Sequence, residues 1–248
     1  MHRFFVPPQA VAEGRVRFSP AQARQLARVL RLGPGDRVLA LDNAGVEYEV
    51  ALEQVGQGVV EGRICAERPA SGEPRTAVTL YLAPLRGEHF EWAVQKATEL
   101  GVAAIVPLAL RRVVAVPRAG GENRLARWRR IAQEAAEQCR RGRIPQISAP
   151  QPLAEALSFE GVALVPWEGE AATALEAAAS RLAPGRPVAL YIGPEGGFAA
   201  EEVQLARQAG AMLVSLGPRT LRAETAAVVA LTIVMERLGE LAPRAPSP

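Results

Sequence analysis

Three glycines and a proline stand together in GPEGGF, residues 193–198, directly after an apolar run that predicts a buried strand. Glycine leaves main-chain N–H and C=O groups uncovered, so a ligand can approach them closely. Two further apolar runs lead into the loops VPWEGE (165–170) and GPRTLRAET (217–225). Ligands of open α/β sheets bind at the carboxyl ends of strands, so these loops predict a pocket for a neutral or polar small molecule. A plain tight turn before a helix is the alternative for GPEGG taken alone.

The same loop does not have the spacing of a phosphate-binding loop. GPEGG lacks both the GxGxxG pattern and the GK[ST] ending, and it carries Glu195 at its centre. No acidic residue follows about twenty positions later, where a ribose hydroxyl would need one. The sequence therefore disfavours dinucleotide binding.

A second polar cluster, RTLRAET at 219–225, begins the last predicted helix. Arg219 and Arg222 supply planar guanidinium donors. Glu224 suits the positive end of a helix dipole and Thr225 suits a helix cap. A catalytic or binding role for Glu224 is an equal alternative to the capping role.

The histidines and cysteines form no pattern of a metal or disulfide site. His2 and His89 are isolated in the sequence, and we interpret both as surface residues rather than general bases. Cys65 and Cys139 have neither a CxxC partner nor a neighbouring histidine. We interpret both cysteines as buried small residues and predict no metal.

Positive charge is concentrated in two segments, although the formal net charge of the 248-residue chain is only +3. Residues 111–143 hold ten arginines and three glutamates, and residues 1–35 hold six arginines and one glutamate. Such a concentration is typical of a surface that binds a polyanion such as nucleic acid. A solvated helix face explains the same residues equally well when they are taken alone.

The elements that must position these residues change character along the chain. Short strand-like runs from Arg15 to Pro69 predict a small β domain, interrupted by a helix over 21–32 that Ser19 and Pro20 begin. A Pro-, Gly- and Ser-rich segment at 68–76 is the predicted linker. Strands then alternate with helices, which predicts an α/β domain with a mostly parallel sheet. A barrel of eight strand–helix units fits the length, but neither the β-rich start nor the number of later units.

Two predicted helices have unusual surfaces. Asn123 is predicted to cap a long helix whose arginines face outward. The last helix, from about Glu224 to Leu241, is apolar on nearly all sides between Ala226 and Met235. Such a helix must be covered all round, either inside its own fold or by a second subunit.

No segment has the features of a membrane span or a secretion signal. The longest apolar run, residues 225–235, is well short of the roughly 20 residues that cross a bilayer. The first residues lack the pattern of a signal peptide. We therefore expect a cytoplasmic protein without a membrane partner.

Several segments, in order along the chain, resemble those of a known family. They are MHRFFV at 1–6, RVLRLGPGD at 28–36, QKATELGV at 95–102, RWRRIAQEAAEQCRR at 127–141, IPQI at 144–147, IGPEGGF at 192–198 and LGPRTLRAETAA at 216–227. In these segments the chain resembles the bacterial methyltransferases that modify N3 of a uridine in 16S ribosomal RNA, which belong to the SPOUT superfamily. The match covers nearly the full chain, and the last two motifs together are highly specific.

The resemblance implies a fold and a set of partners. It implies a PUA-like RNA-binding β-barrel over residues 1–72 and a SPOUT methyltransferase domain over residues 73–248, an α/β domain with a trefoil knot. It also implies a homodimer, S-adenosylmethionine (SAM) as methyl donor, and 16S rRNA within the small ribosomal subunit as substrate. Sequence reasoning alone would not propose a knot, because chains almost always avoid them.

Carried over motif by motif, the resemblance also implies site residues. Those expected to bind the cofactor are Pro166, Ile192, Gly193, Glu195, Gly196, Gly197, Leu216, Gly217, Leu221, Thr225 and Ala226. Arg222 is expected to stabilise the uracil that has lost its N3 proton, Arg219 to place the target or its phosphate, and Glu224 to orient Arg222. The residues expected to hold the RNA backbone are Arg3, Arg28 and Arg31.

Two departures from the family's pattern leave the RNA contacts open. Arg140 stands where the family commonly has Gly after EQC, and Gln25-Leu26-Ala27 replaces an aromatic residue or His before RVLR. Both departures lie in segments expected to face RNA. Two other functions are alternatives: a non-catalytic RNA-binding protein without a cofactor, and an enzyme that binds another nucleotide in the same loops.

Overall fold

The computed structural model describes residues 1–56, 58–113 and 121–243. By its internal contacts the chain divides into two compact units. Unit 1 comprises Met1–Glu73 and Ala136–Ile144, and unit 2 comprises Pro74–Ala135 and residues 145–243. No pattern in the sequence predicted that Ala136–Ile144 belongs with the N-terminal residues. Arg118, one of the arginines counted above, lies outside the described residues.

Unit 1 contains a six-stranded mixed sheet. Its strands are β1 (Arg3–Phe5), β2 (Val11–Ala12), β3 (Arg15–Phe18), β4 (Arg37–Leu41), β5 (Val46–Val55) and β6 (Val60–Pro69). They follow the order β1-β4-β5-β6-β3-β2, in which β1 and β4 are parallel and the other neighbours antiparallel. Phe4 and Phe18 meet edge to face, with ring centroids 5.9 Å apart, in the core of this sheet. The strands predicted between Arg15 and Pro69 are confirmed.

The helix of unit 1 begins as predicted but ends early. Ser19 accepts a hydrogen bond from the Gln22 N–H, and the Gln22 side chain accepts one from the Ser19 N–H. This capping box begins α1 (Pro20–Arg24), which continues as a five-residue π-helix, Gln25–Val29. Arg31 then has φ +54°, a left-handed conformation that stops the helix before its predicted end at residue 32.

Glu47 forms a buried charge network in unit 1. Its carboxylate accepts hydrogen bonds from Arg3 Nη2 at 2.7 Å and from Arg68 Nε at 2.5 Å. The side chains of Glu47 and Arg3 are only 6% and 10% exposed. Burial by itself raises the pKa of Glu47, but the hydrogen bonds and positive charge of Arg68 and Arg3 outweigh burial and leave this pKa below its usual value.

Unit 2 is built on a parallel sheet. Its strands are β7 (Val78–Leu82), β8 (Ala104–Ala109), β9 (Gln146–Ile147), β10 (Gln151–Pro152), β11 (Val162–Pro166), β12 (Val188–Ile192) and β13 (Met212–Val214). The order is β10-β8-β7-β12-β11-β13, with β9 also beside β8. Each of these neighbouring pairs is parallel, and all five residues of the central strand β12 are buried. The predicted α/β fold with a parallel sheet is confirmed.

Helices connect the strands of unit 2. They are α2 (His89–Glu99), α3 (Gly121–Gln138), α4 (Leu153–Ala156), α5 (Leu175–Ala179), α6 (Ala200–Gln208) and α7 (Ala223–Arg237). α7 packs against α2, α5 and β12. Asn123 lies within α3 rather than capping it, because the helix already includes Gly121. Within the described ranges, no helix combines the length and apolarity needed to cross a bilayer.

The prediction that both cysteines are buried is wrong for Cys65. This residue lies in the second half of β6, where most residues on both faces of the strand are exposed. Cys139, one residue beyond α3, is partly buried.

Replacing Glu47 with Gln is expected to lower the free energy of unfolding at pH 7 by about 2–4 kcal/mol, because two guanidinium groups lose their buried anionic partner. A carboxylate whose pKa is lowered by folding contributes stability above its unfolded pKa, and that contribution is lost as the pH falls through the folded pKa. The difference between wild type and Glu47→Gln should therefore be constant near neutral pH and shrink below about pH 4.5. Urea denaturation at a series of pH values measures this difference.

Glu61→Gln is the matched control, since Glu61 pairs with Arg17, whose side chain is 73% exposed. This exposed pair should contribute less than about 1 kcal/mol. Equal unfolding free energies of wild type and Glu47→Gln at neutral pH would show that the Glu47 network does not stabilise unit 1.

Candidate functional site

A cavity of about 310 Å³ lies at the carboxyl ends of β11, β12 and β13. These three strands are neighbours in the parallel sheet, in the order β12-β11-β13, so their terminal loops lie side by side. The loops are the three that the sequence singled out by their glycine, proline and arginine content. Parallel pairing therefore brings together segments that are up to about fifty residues apart in the chain.

Most of the residues predicted to bind a cofactor line this cavity. They are Pro166, Ile192, Gly193, Glu195, Gly196, Gly197, Leu216, Gly217, Leu221 and Ala226. Thr225 does not line the cavity; it is exposed on the first turn of α7. For all of these residues, including Thr225, a role in binding a cofactor stays a prediction.

The GPEGGF loop requires glycine at one position for reasons internal to the protein. The Gly197 N–H donates to the Pro194 carbonyl at 2.9 Å, and Gly197 has φ +68°. A Cβ at this position would lie 2.4 Å from Glu168 Oε1. At Gly196, by contrast, an added Cβ would make only an ordinary contact, 3.5 Å from the Arg112 side chain. The protein's own structure thus requires glycine at position 197 but gives no reason for glycine at position 196.

Glutamate side chains fix the loops around the cavity. Glu195 Oε1 accepts a hydrogen bond from the Arg86 N–H at 3.0 Å. Glu202, in the first turn of α6, accepts from the Ala199 N–H at 2.7 Å and from the Arg111 N–H at 2.8 Å. The negative charge of Glu195 disfavours a phosphate in this loop. Its carboxylate instead anchors the loop to the segment after β7.

Two arginines of the third loop line the cavity. Arg219 and Arg222 are both exposed, and neither guanidinium has a hydrogen bond or ion pair within the described ranges. Arg222 directly precedes α7, in an extended conformation that directs the chain into the helix. Because no group in the described part of the chain occupies their donors, these guanidinium groups can donate to a ligand.

Glu224 contacts a histidine rather than either arginine. Its Oε1 lies 3.1 Å from Nδ1 of His89, the first residue of α2. The Glu224 side chain is 12% exposed and that of His89 is 48% exposed, as expected of a surface histidine. The described residues show no contact between Glu224 and the Arg222 guanidinium, so an orienting role for Glu224 stays a prediction without a direct contact to support it.

Neither core tyrosine of the sheet has the properties of a general base. The rings of Tyr81 and Tyr191 stack with centroids 4.6 Å apart, and the Tyr191 hydroxyl donates to the Ala156 carbonyl at 2.6 Å. Burial raises the pKa of both phenols above its usual value, which keeps both protonated at neutral pH. In the part of the chain that the structure describes, no three His, Cys, Asp or Glu residues are grouped as a metal site requires.

Comparison with known proteins identifies the family. A model of the RNA methyltransferase domain matches residues 72–235. Ribosomal RNA small subunit methyltransferase E of Synechocystis sp. is 35% identical over 234 residues, which cover 93% of this chain and 76% of that protein. The protein of the same name from Bacillus subtilis is 30% identical over 222 residues, which cover 86% of each chain. The chain belongs to the ribosomal RNA small subunit methyltransferase E family.

A solved structure of the methyltransferase E family has the same fold. The Neisseria gonorrhoeae protein, crystallised bound to S-adenosyl methionine, superposes with a TM-score of 0.85 at 29% identity. The superposition covers 95% of this chain and 97% of that one. The family that the sequence motifs predicted is thereby confirmed.

Sequence reasoning missed several side chains that line the cavity in this methyltransferase E family member. Trp167 and Glu168 follow β11, and the Trp167 ring lies under the Arg207 guanidinium at 5.7 Å. Phe198 closes the glycine loop, its ring 3.1 Å from where a Cβ of Gly193 would be. An aromatic residue directly after a buried strand or a glycine run was the available signal for both rings.

The predicted RNA-binding arginines, all in unit 1, differ in their surroundings. Arg28 and Arg31 are exposed near the π-helix, and neither has a hydrogen bond or ion pair in the described ranges. Arg3 is largely buried against Glu47, and its Nη2 also lies 3.4 Å from the Arg140 carbonyl. Contact with RNA stays a prediction for all three, and burial supports it least for Arg3.

Replacing Gly197 with Ala is expected to destabilise this methyltransferase E family member, since the new methyl group would meet Glu168 and alanine disfavours positive φ by about 1–2 kcal/mol. Thermal denaturation should show a melting temperature lower by about 2–4 °C for each kcal/mol lost. Gly196→Ala, with ordinary contacts and no positive φ, is the matched control and should melt close to wild type. Equal melting temperatures for the two variants would contradict the strained geometry assigned to Gly197.

Proposed function

We propose that the chain transfers the methyl group of SAM to N3 of a uridine in 16S rRNA, within the small ribosomal subunit. The single observation that carries this proposal is the cavity at the carboxyl ends of β11, β12 and β13. There, bare main chain lies beside two guanidinium groups that have no hydrogen bond or ion pair within the described ranges. Family membership and the SAM bound by the Neisseria relative support the same reaction. The reaction belongs to ribosome biogenesis in the cytoplasm.

The residues that line the cavity suit SAM. Its volume, about 310 Å³, lies at the lower end of the range of roughly 300–1,000 Å³ that small-molecule sites occupy. Ile192, Leu216, Leu221 and Ala226 offer apolar surface, and Gly196 offers main chain that the protein's own packing does not require to be bare. The loop has no phosphate-binding pattern, which fits a cofactor that carries a sulfonium instead of a phosphate. When bound, SAM supplies an electrophilic methyl group.

Arg222 is proposed to stabilise the uracil as an anion. N3 of uracil must lose its proton before it can accept a methyl group, and the resulting negative charge spreads onto the two neighbouring carbonyl oxygens. A guanidinium beside those oxygens lowers the pKa of N3 and stabilises the charge that develops. Arg222 is suited to this role because it lines the cavity and no described residue pairs with its guanidinium group. Arg219, on the same loop, is proposed to hold the target nucleotide or its phosphate.

The RNA-binding and structural roles follow from the same family assignment. Unit 1 is proposed to be a PUA-like barrel that holds RNA. Its direct contacts would be Arg28, in the π-helix, and Arg31, two residues beyond the end of that helix. Unit 2 is proposed to carry the SPOUT trefoil knot. Its bare loops would then come from the threaded part of the chain.

Arg222→Ala is expected to reduce methylation of 16S rRNA by a factor of about 10²–10³, because one preorganised donor to a developing anion is lost. SAM affinity should stay within about twofold of wild type. Arg222→Lys keeps the charge but loses the planar pair of donors, so it should recover little activity. Mass spectrometry of rRNA digests measures the methyl group, and calorimetry measures SAM binding.

Arg186→Ala is the control and should methylate at the wild-type rate, because Arg186 is an exposed arginine just before the amino end of β12 and does not line the cavity. A turnover of Arg222→Ala equal to that of wild type would remove the assigned role. Absence of any added methyl group with the wild-type protein would overturn the enzyme assignment and favour a non-catalytic RNA-binding protein.

We also propose a homodimer formed through α7. Buried residues of this helix, such as Ala227 and Leu231, pack inside unit 2, whereas Val229 and Ile233 remain partly exposed on another face. An apolar face of this kind is stabilised when a second copy covers it. The sequence predicted that this helix must be covered all round, and the structure covers only part of it.

Val229→Glu is expected to convert the dimer to monomers, because a carboxylate buried in an apolar interface costs several kcal/mol. Sedimentation equilibrium measures the masses. Val59→Glu, which alters a partly exposed valine of unit 1, is the matched control and should leave the dimer intact. A monomeric wild type across the concentration range, or a dimeric Val229→Glu, would contradict the proposal.

A further inference from the structure

A second cavity, of about 550 Å³, lies in unit 2 outside the candidate methyl-transfer site. One wall is the segment between β7 and α2, including Leu85, Arg86 and Gly87. The other wall is the first part of α3, including Arg124 and Arg127. None of the predicted site residues lines it, and we call it the arginine cleft.

The arginine cleft presents three guanidinium groups above a buried pair of aromatic rings. Arg127 is fixed by an ion pair of 2.6 Å with Glu91, and the Arg124 guanidinium lies over the Trp128 ring at 5.9 Å. Arg86 is exposed and has no side-chain partner among the described residues. Phe90 and Trp128, whose ring centroids are 4.3 Å apart, form the floor and are 2% and 5% exposed.

The wall that carries Arg86 is bonded to two segments at the candidate methyl-transfer site. The Arg86 N–H donates to Glu195, which lies in the glycine loop after β12. Three residues further on, His89 pairs with Glu224 at the start of α7. The arginine cleft is thus held directly beside the loops that line the first cavity, within the same unit.

The lining of the cleft selects among anions. Phe90 and Trp128 are too buried to stack on a base, so recognition must come from the guanidinium groups, which suit phosphate oxygens. Glu88 and Glu91 also line the cleft and limit its positive charge. A polyphosphate would be repelled by these carboxylates, whereas a phosphodiester carries a single negative charge. The chemistry therefore fits one backbone phosphate of a strand.

We infer that the arginine cleft binds the phosphodiester of a nucleotide next to the one that is methylated, with Arg86 and Arg124 as its donors. This inference rests on the proposed function, because the strand is the RNA whose uridine enters the first cavity. It assigns the arginines of α3 that face the cleft to substrate positioning. A neighbouring phosphate held in this way would fix the register of the strand at the reacting base.

The test compares Arg86→Gln, Arg124→Gln and the double variant with Arg130→Gln, a matched control. Arg130 is an exposed arginine of the same helix that does not line the cleft. The Arg86 N–H is main chain, so the bond to Glu195 remains in the variant. Fluorescence anisotropy with a labelled, uridine-rich single-stranded RNA of about 12 nucleotides gives the affinity between about 50 and 200 mM salt.

The double variant is expected to bind this RNA about tenfold more weakly and to lower the slope of log affinity against log salt by about 0.7, the value for one phosphate of a single strand. Calorimetry should show unchanged SAM affinity, and thermal denaturation should confirm the fold. Arg86→Lys should recover part of the RNA affinity, since it restores the charge. Arg130→Gln should bind as wild type does.

Wild-type affinity and salt slope in the double variant would overturn the cleft assignment, as would an equal loss in Arg130→Gln. Competition by uridine monophosphate or inorganic phosphate at the affinity of the strand would also overturn it, since the cleft would then be a free-anion site. A wild-type protein that methylates no RNA, combined with weaker RNA binding by the double variant, would refute the proposed reaction and still support an RNA phosphate in the cleft.

Discussion

The parallel pairing of β12 between β7 and β11 is the constraint on which the rest of unit 2 depends. Because the strands run the same way, every loop that follows a strand emerges at one edge of the sheet. The loop after β12 (residues 193–198) therefore lies beside the loop after β11 (residues 165–170). The loop after β13 (residues 217–225) lies one strand further along the same edge. An antiparallel neighbour would carry one of these loops to the opposite edge and leave the cavity open on that side.

Carboxylates hold this edge in shape. Glu195 accepts a hydrogen bond from a main-chain N–H after β7, and Glu202 accepts one from a main-chain N–H after β8. Glu168 lies against Gly197. These contacts hold the loops in place through glutamate side chains. The main-chain groups that line the cavity are therefore not needed for holding the loops and can bond to a ligand. The hydrogen bond from the Arg86 N–H also gives the glutamate at the centre of the loop a structural role.

The sequence predicted the elements of this fold well because apolar periodicity and caps are local signals. The motifs also predicted most of the residues that line the cavity. The sequence could not predict which side chains pair, because the partners come from distant segments. Arg3 pairs with Glu47, and Glu224 pairs with His89. Segment 136–144 joined unit 1 through contacts such as Arg141 with Glu73, which no local pattern indicates.

The main-chain conformation of Arg140 could not be predicted from the sequence. Arg140 has φ +68°, the left-handed conformation in which glycine commonly ends a helix. A glycine would therefore suit the main chain at this position, and arginine adopts the same geometry at some cost. Several other arginines of the basic stretch bond to the protein itself, as Arg129 does to the Ile147 carbonyl and Arg143 to the Ala44 carbonyl. A count of arginines thus overstates the number of guanidinium donors left for a polyanion.

Main chain left bare by glycine, at the ends of three neighbouring parallel strands, is proposed to hold the methyl donor. A crystal structure of the protein grown with SAM tests this claim most directly. We expect SAM to lie in the cavity at the carboxyl ends of β11, β12 and β13, with its polar atoms within hydrogen-bonding distance of the main chain at residues 192–197 and 216–217. A cavity without SAM at saturating concentration, or SAM bound elsewhere on the chain, would contradict it.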